Sequence, residues 1–178
     1  MINLSIWFTS DTHFGAYRTL MLSKRPFNSV KEMDEVLVNN WNKVVKEEDE
    51  VYHLGDFGDY SFASRLNGKI HLIKGNYERR DFDQDKYGHL FESVSDNVKE
   101  VFIDGYYIRM SHEPRVIRPF IIDNNHINLF GHIHRLCMVK SYGLNVGTDA
   151  HFFQPISLET VLWYHSNILN FYDSDVLR

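Results

Sequence analysis

Apolar residues in the first half of the chain form short runs, separated by one long amphipathic stretch. The runs are typical of buried strands and cover Leu4 to Ser10, Glu50 to Leu54 and Lys69 to Lys74. Ser29 and Glu32 have the spacing of a helix capping box. The helix that follows should bury the apolar positions Val30, Met33, Val36, Leu37, Trp41, Val44 and Val45. This half therefore predicts strands that alternate with helices.

The second half of the chain changes to hairpin-like strands. Asp104 and Gly105 separate two apolar runs, Val98 to Ile103 and Tyr106 to Met110, and Asp-Gly is a strong signal for a two-residue hairpin turn. The pattern predicts further helices at Asp59 to Asn67, Asp81 to Leu90 and Ser157 to His165, and further strands at Ile127 to Phe130, Leu144 to Val146 and Ile168 to Tyr172. We expect a mixed α/β architecture with sheet packed between helices.

Composition narrows the class of protein. A chain of 178 residues with 43% hydrophobic and 24% charged residues predicts a single globular domain over 1–178. The formal charge of -5 argues against long nucleic acid as a partner, because a global positive field is missing. We find no targeting segment and no run long enough to span a bilayer. With Cys137 as the single cysteine, the cytoplasm is the expected compartment, without a membrane partner.

Polar residues able to bind a metal follow five of the apolar segments. These segments read IWFTSDTH, VYHLGD, HLIKGN, YIRMSH and NLFGHIH. Ligands in open α/β sheets gather outside the carboxyl ends of the strands, so these side chains should converge although they lie far apart in sequence. The candidate metal ligands are Asp11, His13, Asp56, Asn76, His112, His132 and His134.

Each of these motifs alone has an ordinary structural interpretation. Asp11 and His13 could be a turn residue and a surface histidine, Asp56 could cap a helix, and His112 could begin a turn before Pro114. The same order of strand and ligand recurs five times, however, and this recurrence favours a metal site.

The ligand types restrict the metal and the reaction. Histidine nitrogens with carboxylate and amide oxygens, and no thiolate, favour Mn²⁺ first, with Fe, Zn²⁺, Ni²⁺ or Co²⁺ as alternatives, over Ca²⁺ or Mg²⁺. The set exceeds what one ion needs, so we expect two divalent ions. Such a site retains positive charge that attracts phosphate. The sequence therefore predicts hydrolysis of phosphate esters.

As a set, the motifs resemble the signature of the calcineurin-like metallophosphoesterases. That signature is D-x-H, G-D, G-N-H-[DE], a lone histidine and G-H-x-H. It occurs here in the same order as SDTH, LGD, GNYE, SHEP and GHIH. The surrounding sequence, including RPFNSVKEMDEVLVNNWNKVV, is similar to a compact bacterial and phage-type branch.

The resemblance implies a four-layer αββα sandwich, in which two mixed β-sheets lie between helices. It implies that one metal is held by Asp11, His13 and His134, that the other is held by Asn76, His112 and His132, and that Asp56 bridges the two. A metal-bridging hydroxide would be the nucleophile. Catalytic roles are expected for Asp56, Asn76, Tyr77 and His112.

Tyr77 departs from the family pattern, which has histidine after Gly-Asn. A phenol with a reference pKa of about 10 is a weaker acid near neutral pH than an imidazolium at about 6.5. Protonation of the leaving oxygen should therefore be less effective, while metal binding should be unaffected. We expect phosphodiesters or anhydrides with good leaving groups, on a small or nucleotide-like substrate, rather than simple monoesters.

Several nearby residues and two other functions remain open from the sequence. Glu78 could orient the loop or be a solvated charge. Arg79 and Arg80 could contact a phosphate or a base or form a solvated cluster, and Arg18, Arg25 and Arg115 are weaker candidates for the same role. Besides a phosphodiesterase, a metal-binding scaffold without turnover and a nuclease are alternatives.

Overall fold

Two five-stranded sheets form the framework of the protein. The computed structural model describes residues 4–118 and 123–171, with the side chains of residues 170 and 171 left out. In chain order the strands are β1 Ile6–Thr9, β2 Glu50–His53, β3 Lys69–Ile73, β4 Ser93–Ser95, β5 Val98–Ile103, β6 Tyr106–Ser111, β7 His126–Phe130, β8 Val139–Lys140, β9 Gly143–Asn145 and β10 Ile156–Ser157.

Both sheets are mixed. The first has the order β10-β1-β2-β3-β4, in which only the β10–β1 pair is antiparallel. The second has the order β5-β6-β7-β9-β8, with β6, β7 and β9 parallel to one another and an antiparallel strand at each edge. The predicted β5–β6 hairpin is confirmed, with Ile103 opposite Tyr106 across the Asp104-Gly105 turn. The carboxyl ends of β1, β2 and β3 therefore share one edge of the first sheet, and those of β6 and β7 share one edge of the second.

Six α-helices connect and flank the strands in the described residues. They are α1 Tyr17–Leu22, α2 Val30–Val44, α3 Glu78–Asp81, α4 Gln84–Tyr87, α5 Pro114–Ile117 and α6 Leu158–Phe171, with 3₁₀ turns at Tyr60–Arg65, Gly88–Leu90 and Thr148–Ala150. The predicted capping signal for α2 is present, because the Ser29 hydroxyl accepts from the Glu32 N–H at 3.1 Å. The Glu32 carboxylate accepts from the Asn28 N–H, one residue earlier than a standard capping box requires.

Two hydrophobic clusters lie on opposite faces of the first sheet. Met33, Leu37 and Trp41 of α2 pack with Val51 and Leu72 of the sheet in one cluster. The other cluster joins the opposite sheet face to the second sheet and to α6, through Phe8, Ile73, Ile108, Met110, Leu129 and Val161. The predicted fold class, two mixed sheets flanked by helices, is confirmed. No helix in the described part of the chain has both the length and the apolar character needed to cross a membrane.

The predicted C-terminal strand is wrong. Residues Ile168 to Phe171 continue the helix that begins at Leu158, and Tyr172 lies outside the described residues. Buried Val161, His165 and Ile168 follow one another at spacings of four and three, which is the helical period, and neither glycine nor proline interrupts the segment. His165 is accordingly a core residue.

Two predicted helices are shorter or broken. The segment Asp59 to Asn67 contains only the 3₁₀ turn, and the segment Asp81 to Leu90 divides into separate pieces. The break has a local cause, because the Asp83 carboxylate accepts from the backbone N–H groups of Asp85 and Lys86 and starts α4 anew.

Candidate metal centre

The candidate ligands converge where the carboxyl ends of the parallel strands meet. Two groups of side chains have ligand atoms within 4.8 Å of one another. They are Asp11, His13 and His134 in one group and Asp56, His112 and His132 in the other. Each group combines residues from both sheets, so the centre lies across the junction of the sheets.

Asp56 lies between the two groups. Its Oδ2 atom is 3.6 Å from His13 Nε2 and 3.4 Å from His112 Nε2. Asn76 joins the second group, because its Oδ1 atom is 3.0 Å from both His112 Nε2 and His132 Nδ1. Every candidate ligand named from the sequence therefore lies in one continuous cluster.

Five of these residues adopt left-handed backbone conformations, which most side chains avoid. Their φ angles are 58° for Asp11, 51° for His13, 56° for Asp56, 72° for His132 and 49° for His134. Asp, Asn and His tolerate this region better than other residues with side chains. The sharp turns aim each side chain back across its strand end, at a backbone cost of order 1–3 kcal/mol each.

Two glycines provide space rather than flexibility. A Cβ atom on Gly131 would lie 2.5 Å from Asp11 Oδ2, and a Cβ atom on Gly75 would lie 2.7 Å from the Asp56 nitrogen. The close approach at Gly131 lets the His132 N–H donate to Asp11 Oδ2 at 2.8 Å. Gly75 has no positive φ, so its role here is steric rather than conformational.

Hydrogen bonds fix the orientation of the ligand histidines. Nδ1–H of His112 donates to the Leu54 carbonyl at 2.8 Å, which leaves Nε2 facing the cluster. His134 Nδ1 is 2.8 Å from Asp149 Oδ2, a carboxylate–histidine pair of the kind that orients metal-binding imidazoles. Burial lowers the pKa of His134, but the Asp149 hydrogen bond and the negative charges of Asp11 and Asp149 together outweigh burial and raise that pKa above its ordinary value.

Arg25 supports this arrangement from inside the protein. Its guanidinium donates to both carboxylate oxygens of Asp149, at 2.9 and 2.7 Å, and to the carbonyls of Thr12 at 2.8 Å and Asp11 at 2.6 Å. Burial raises the pKa of Asp149, but the bonds to His134 and Arg25 outweigh burial and bring it to about 2. Arg25 is buried and fully engaged, so the suggestion that it contacts a phosphate is wrong.

Glu78 braces the loops that carry Asp56 and Asn76. The carboxylate is buried and accepts from the backbone N–H groups of Asp56 at 2.7 Å, Phe57 at 2.8 Å and Gly75 at 2.9 Å. Burial raises the pKa of this carboxyl above its ordinary value. Of the two sequence interpretations, loop orientation is therefore confirmed and a solvated charge is wrong.

The first group has the atoms and charge states that a metal ion requires. Asp11 Oδ1 and His13 Nε2 are buried and have no hydrogen-bond partner. Burial lowers the pKa of His13 to about 4, so its imidazole is neutral and has a free lone pair near neutral pH. Buried polar atoms without partners are rare, and a cation shared by these two atoms would satisfy both.

The second group favours a positive charge at its centre. Burial lowers the pKa of His112, but the Asp11 and Asp56 carboxylates outweigh burial and raise it to about 9. Burial likewise opposes ionisation of Asp56, yet His112 holds the pKa of that carboxyl below its ordinary value. The field that favours a proton here also favours a divalent cation. The residues of both groups therefore fit metal ions.

Two cavities open beside the cluster. One has a volume of about 150 Å³ and is lined by candidate ligands of both groups and by Tyr77. Its remaining wall consists of Arg18, Thr19 and Leu22 of α1 and of Ser23, which follows the helix. The other, of about 320 Å³, is lined by Asn76, His132, Glu113, Pro114 and Arg115. Because Asn76 and His132 line both, the two cavities are neighbours. Of the α1 residues that line the smaller cavity, the sequence suggested only Arg18 as a candidate, and the helix itself was not predicted.

Comparison with known protein families assigns this site to a known class. The family model "Calcineurin-like phosphoesterase superfamily domain" matches residues 4–155. The chain belongs to this superfamily. Members of the calcineurin-like phosphoesterase superfamily bind divalent metals, and the two Asp/His groups described above could hold them. Membership supports a hydrolase of phosphoric esters at this coarse level.

The chain is also similar to individual proteins. The chain is 29% identical over 174 residues to the uncharacterized protein MJ1445 of Methanocaldococcus jannaschii, covering 88% of this chain and 89% of that protein. It is 33% identical over 81 residues to the gene 66 protein of Mycobacterium phage L5, covering 40% and 39%. A crystal structure of AQ665 from Aquifex aeolicus, a protein of unknown function, superposes with a TM-score of 0.68 at 25% identity, covering 89% of this chain and 98% of that one.

The position at which this chain departs from the superfamily signature lies at the cavity wall. Tyr77 donates its backbone N–H to Asp56 Oδ1 at 3.1 Å, and its ring meets the His13 ring edge-on with centroids 5.4 Å apart. The Arg80 guanidinium lies over the Tyr77 ring, 5.0 Å from its centroid, and pairs with Asp81. Arg80 is therefore occupied at the surface.

Two further arginines named from the sequence share one acidic partner. Arg79 and Arg115 both pair with the Glu113 carboxylate, at the edge of the larger cavity. Arg79 also donates to the Lys74 carbonyl at 3.2 Å. Both guanidiniums are thus held by protein groups near His112, the residue before Glu113.

Proposed function

We propose that this protein is a metal-dependent phosphodiesterase that hydrolyses a small or nucleotide-like diester or anhydride. The observation that carries the proposal is the position of Asp56 Oδ2, 3.6 Å from His13 Nε2 and 3.4 Å from His112 Nε2. This carboxylate is shared between two groups that could each hold an ion. Paired sites of this kind are typical of enzymes that transfer phosphoryl groups to water.

In this proposal the first ion is held by Asp11, His13 and His134, the second by Asn76, His112 and His132, and both by Asp56. When bound, the two ions would lower the pKa of water and offset negative charge on the phosphate oxygens. In the reaction a water oxygen bonds to phosphorus, and the bond from phosphorus to the leaving oxygen breaks. The leaving oxygen retains the electron pair, and the water proton passes to it or to solvent.

Tyr77 in place of histidine favours substrates with good leaving groups over substrates with poor ones. Its phenol lines the same cavity as the candidate ligands, where the superfamily signature has histidine. A phenol donates a proton near neutral pH much less readily than an imidazolium. A phosphate or a nucleotide departs without prior protonation more easily than a simple alkoxide, which favours diesters and anhydrides.

The neighbouring cavities also support a substrate with two substituents on phosphorus. Asn76 and His132 line both cavities, Tyr77 lines the smaller one, and Glu113 and Arg115 line the larger one. A phosphate between the two groups of ligands could extend one substituent into each. A monoester would leave one of the cavities without a substituent.

The test compares hydrolysis of monoesters, diesters and anhydrides by protein loaded with Mn²⁺ and, separately, with Zn²⁺. Asp56→Ala and His112→Ala should lose metal and activity while circular dichroism shows a retained fold. His126→Gln serves as the control, because His126 is exposed and pairs with Asp123 away from the centre. Retained turnover in both site variants would contradict the proposal, and so would a lack of hydrolysis across the whole panel.

Tyr77→His tests the substrate preference separately. The substitution should raise turnover of monoesters relative to diesters and leave the metal content unchanged. An unchanged ratio of monoester to diester turnover would refute the argument about the leaving group without affecting the proposed metal centre.

A further inference from the structure

A cationic side chain that is not a candidate metal ligand lines the smaller cavity. Arg18 lies on α1, is exposed, and lines this cavity together with His13, Asp56 and Tyr77. Within residues 4–118 and 123–171, the structure gives Arg18 no hydrogen bond, ion pair or ring contact. Its guanidinium is therefore available to a ligand that enters the cavity.

Arg115, the arginine that lines the larger cavity, is in a different state. It pairs with Glu113, and the same carboxylate also pairs with Arg79. A ligand that recruits Arg115 must compete with that carboxylate. Arg18 meets no such competition among the described residues, so an anion in the smaller cavity need not displace a carboxylate to reach it.

The cavity also lacks the positive charge that an imidazolium would bring at position 77. The Tyr77 side chain is a phenol, which carries no positive charge in either protonation state. Among the described residues that line the smaller cavity, Arg18 is then the side-chain cation outside the candidate ligand set. An arginine fork matches two phosphate oxygens at once, which a single ammonium group does not.

We propose that Arg18 is a substrate-binding residue that contacts the non-bridging oxygens of the phosphate, and that α1 is therefore a substrate-recognition element. This inference rests on the proposed phosphoesterase function. Because Arg18 faces the cavity that Tyr77 also lines, the contact offsets negative charge on the side where the leaving oxygen lacks an imidazolium. The ligand class is a phosphate with at least two unesterified or anionic oxygens.

The experiment measures binding of inorganic phosphate to the Mn²⁺-loaded protein by calorimetry, together with kcat/KM for a diester substrate. Arg18→Gln should weaken phosphate binding and lower kcat/KM by about 10- to 100-fold, the range for losing a hydrogen bond to a charged group. Arg18→Lys, which retains the charge but not the fork, should recover only part of both losses. Metal content should be unchanged in both variants.

Arg115→Gln is the matched control. It removes an arginine from the neighbouring cavity. Binding of inorganic phosphate, which has no substituent to enter that cavity, should change by less than about threefold, because the Arg115 guanidinium is already paired with Glu113. Less than a threefold effect of Arg18→Gln, or an equal effect of Arg115→Gln, would overturn the inference. If wild-type protein binds no phosphate and hydrolyses nothing, the proposed function itself has failed, and that result is distinct from an active enzyme that is indifferent to Arg18.

Discussion

Replacing Arg25 with methionine should destabilise the metal-free protein by about 3–5 kcal/mol, the range for breaking a buried ion pair from one side. Methionine fills part of the same volume but cannot donate. The Asp149 side chain, which is 2% exposed, would then be a buried carboxylate without its cationic partner. The Thr12 carbonyl would lose the Arg25 donor as well, and the Asp11 carbonyl would keep the Thr148 hydroxyl at 3.2 Å.

Urea unfolding followed by circular dichroism, with chelator present, measures this effect. For a chain of 178 residues the loss corresponds to a fall in Tm of about 6–20 °C. Arg65→Met is the matched control, because Arg65 pairs with Glu35 at 2.8 Å while both side chains are more than 40% exposed. That exposed pair should contribute less than about 1 kcal/mol.

A double variant separates the ion pair from the other contacts of Arg25. Adding Asp149→Leu to Arg25→Met removes the uncompensated charge, so the double variant should lose less stability than the sum of the two single losses. Strict additivity would refute the reasoning. A loss for Arg25→Met as small as that for Arg65→Met would refute it too.

Three further outcomes are expected. Burial lowers the pKa of His53 from 6.5 to about 3, so between these pH values the unfolded chain binds more protons and the stability of the fold falls as pH falls. His53→Gln should reduce the slope of unfolding free energy against pH, measured by urea titration, by up to about 1.4 kcal/mol per pH unit. An unchanged slope would contradict this explanation. Glu78→Gln should cost about 1–3 kcal/mol in the same assay, because an amide cannot accept from three N–H groups equally well, and a neutral effect would count against the bracing role. Mn²⁺ should raise the Tm in a concentration-dependent manner that EDTA reverses, and Asp56→Asn should remove most of the shift; a shift retained in the variant would place the ion elsewhere.

The candidate ligands could be predicted from the sequence because each follows an apolar run directly. Parallel strands end at one sheet edge, so a residue such as Asp11 or His112 needs only its own strand to be brought to the centre. The strand predicted to begin at Ile168 was wrong because the local pattern there does not decide the type of element. A short apolar run fits a strand or a buried helix equally well, and the preceding turns of α6 decided between them.

The support of the centre could not be predicted in the same way. Arg25 and Asp149 are 124 positions apart, and their pairing depends on how the chain after α1 returns to the loop after β9. No local pattern distinguishes a buried arginine from an exposed one, so Arg25 and Arg18 had equal standing in the sequence. The fold separates them, placing one under the backbone of Asp11 and the other at the cavity mouth.

The left-handed backbone at the ligand positions has a consequence for the protein's evolution in the laboratory. His132 and His134 have φ angles of 72° and 49°, which glycine adopts without strain. Glycine at position 132 should relieve about 1 kcal/mol of backbone strain while removing an imidazole. At position 134 it would also remove the hydrogen bond to the buried Asp149 carboxylate. A library selected only for heat resistance would therefore drift toward glycine at position 132 and lose part of its metal centre, whereas one selected for metal retention would keep histidine at the expense of stability.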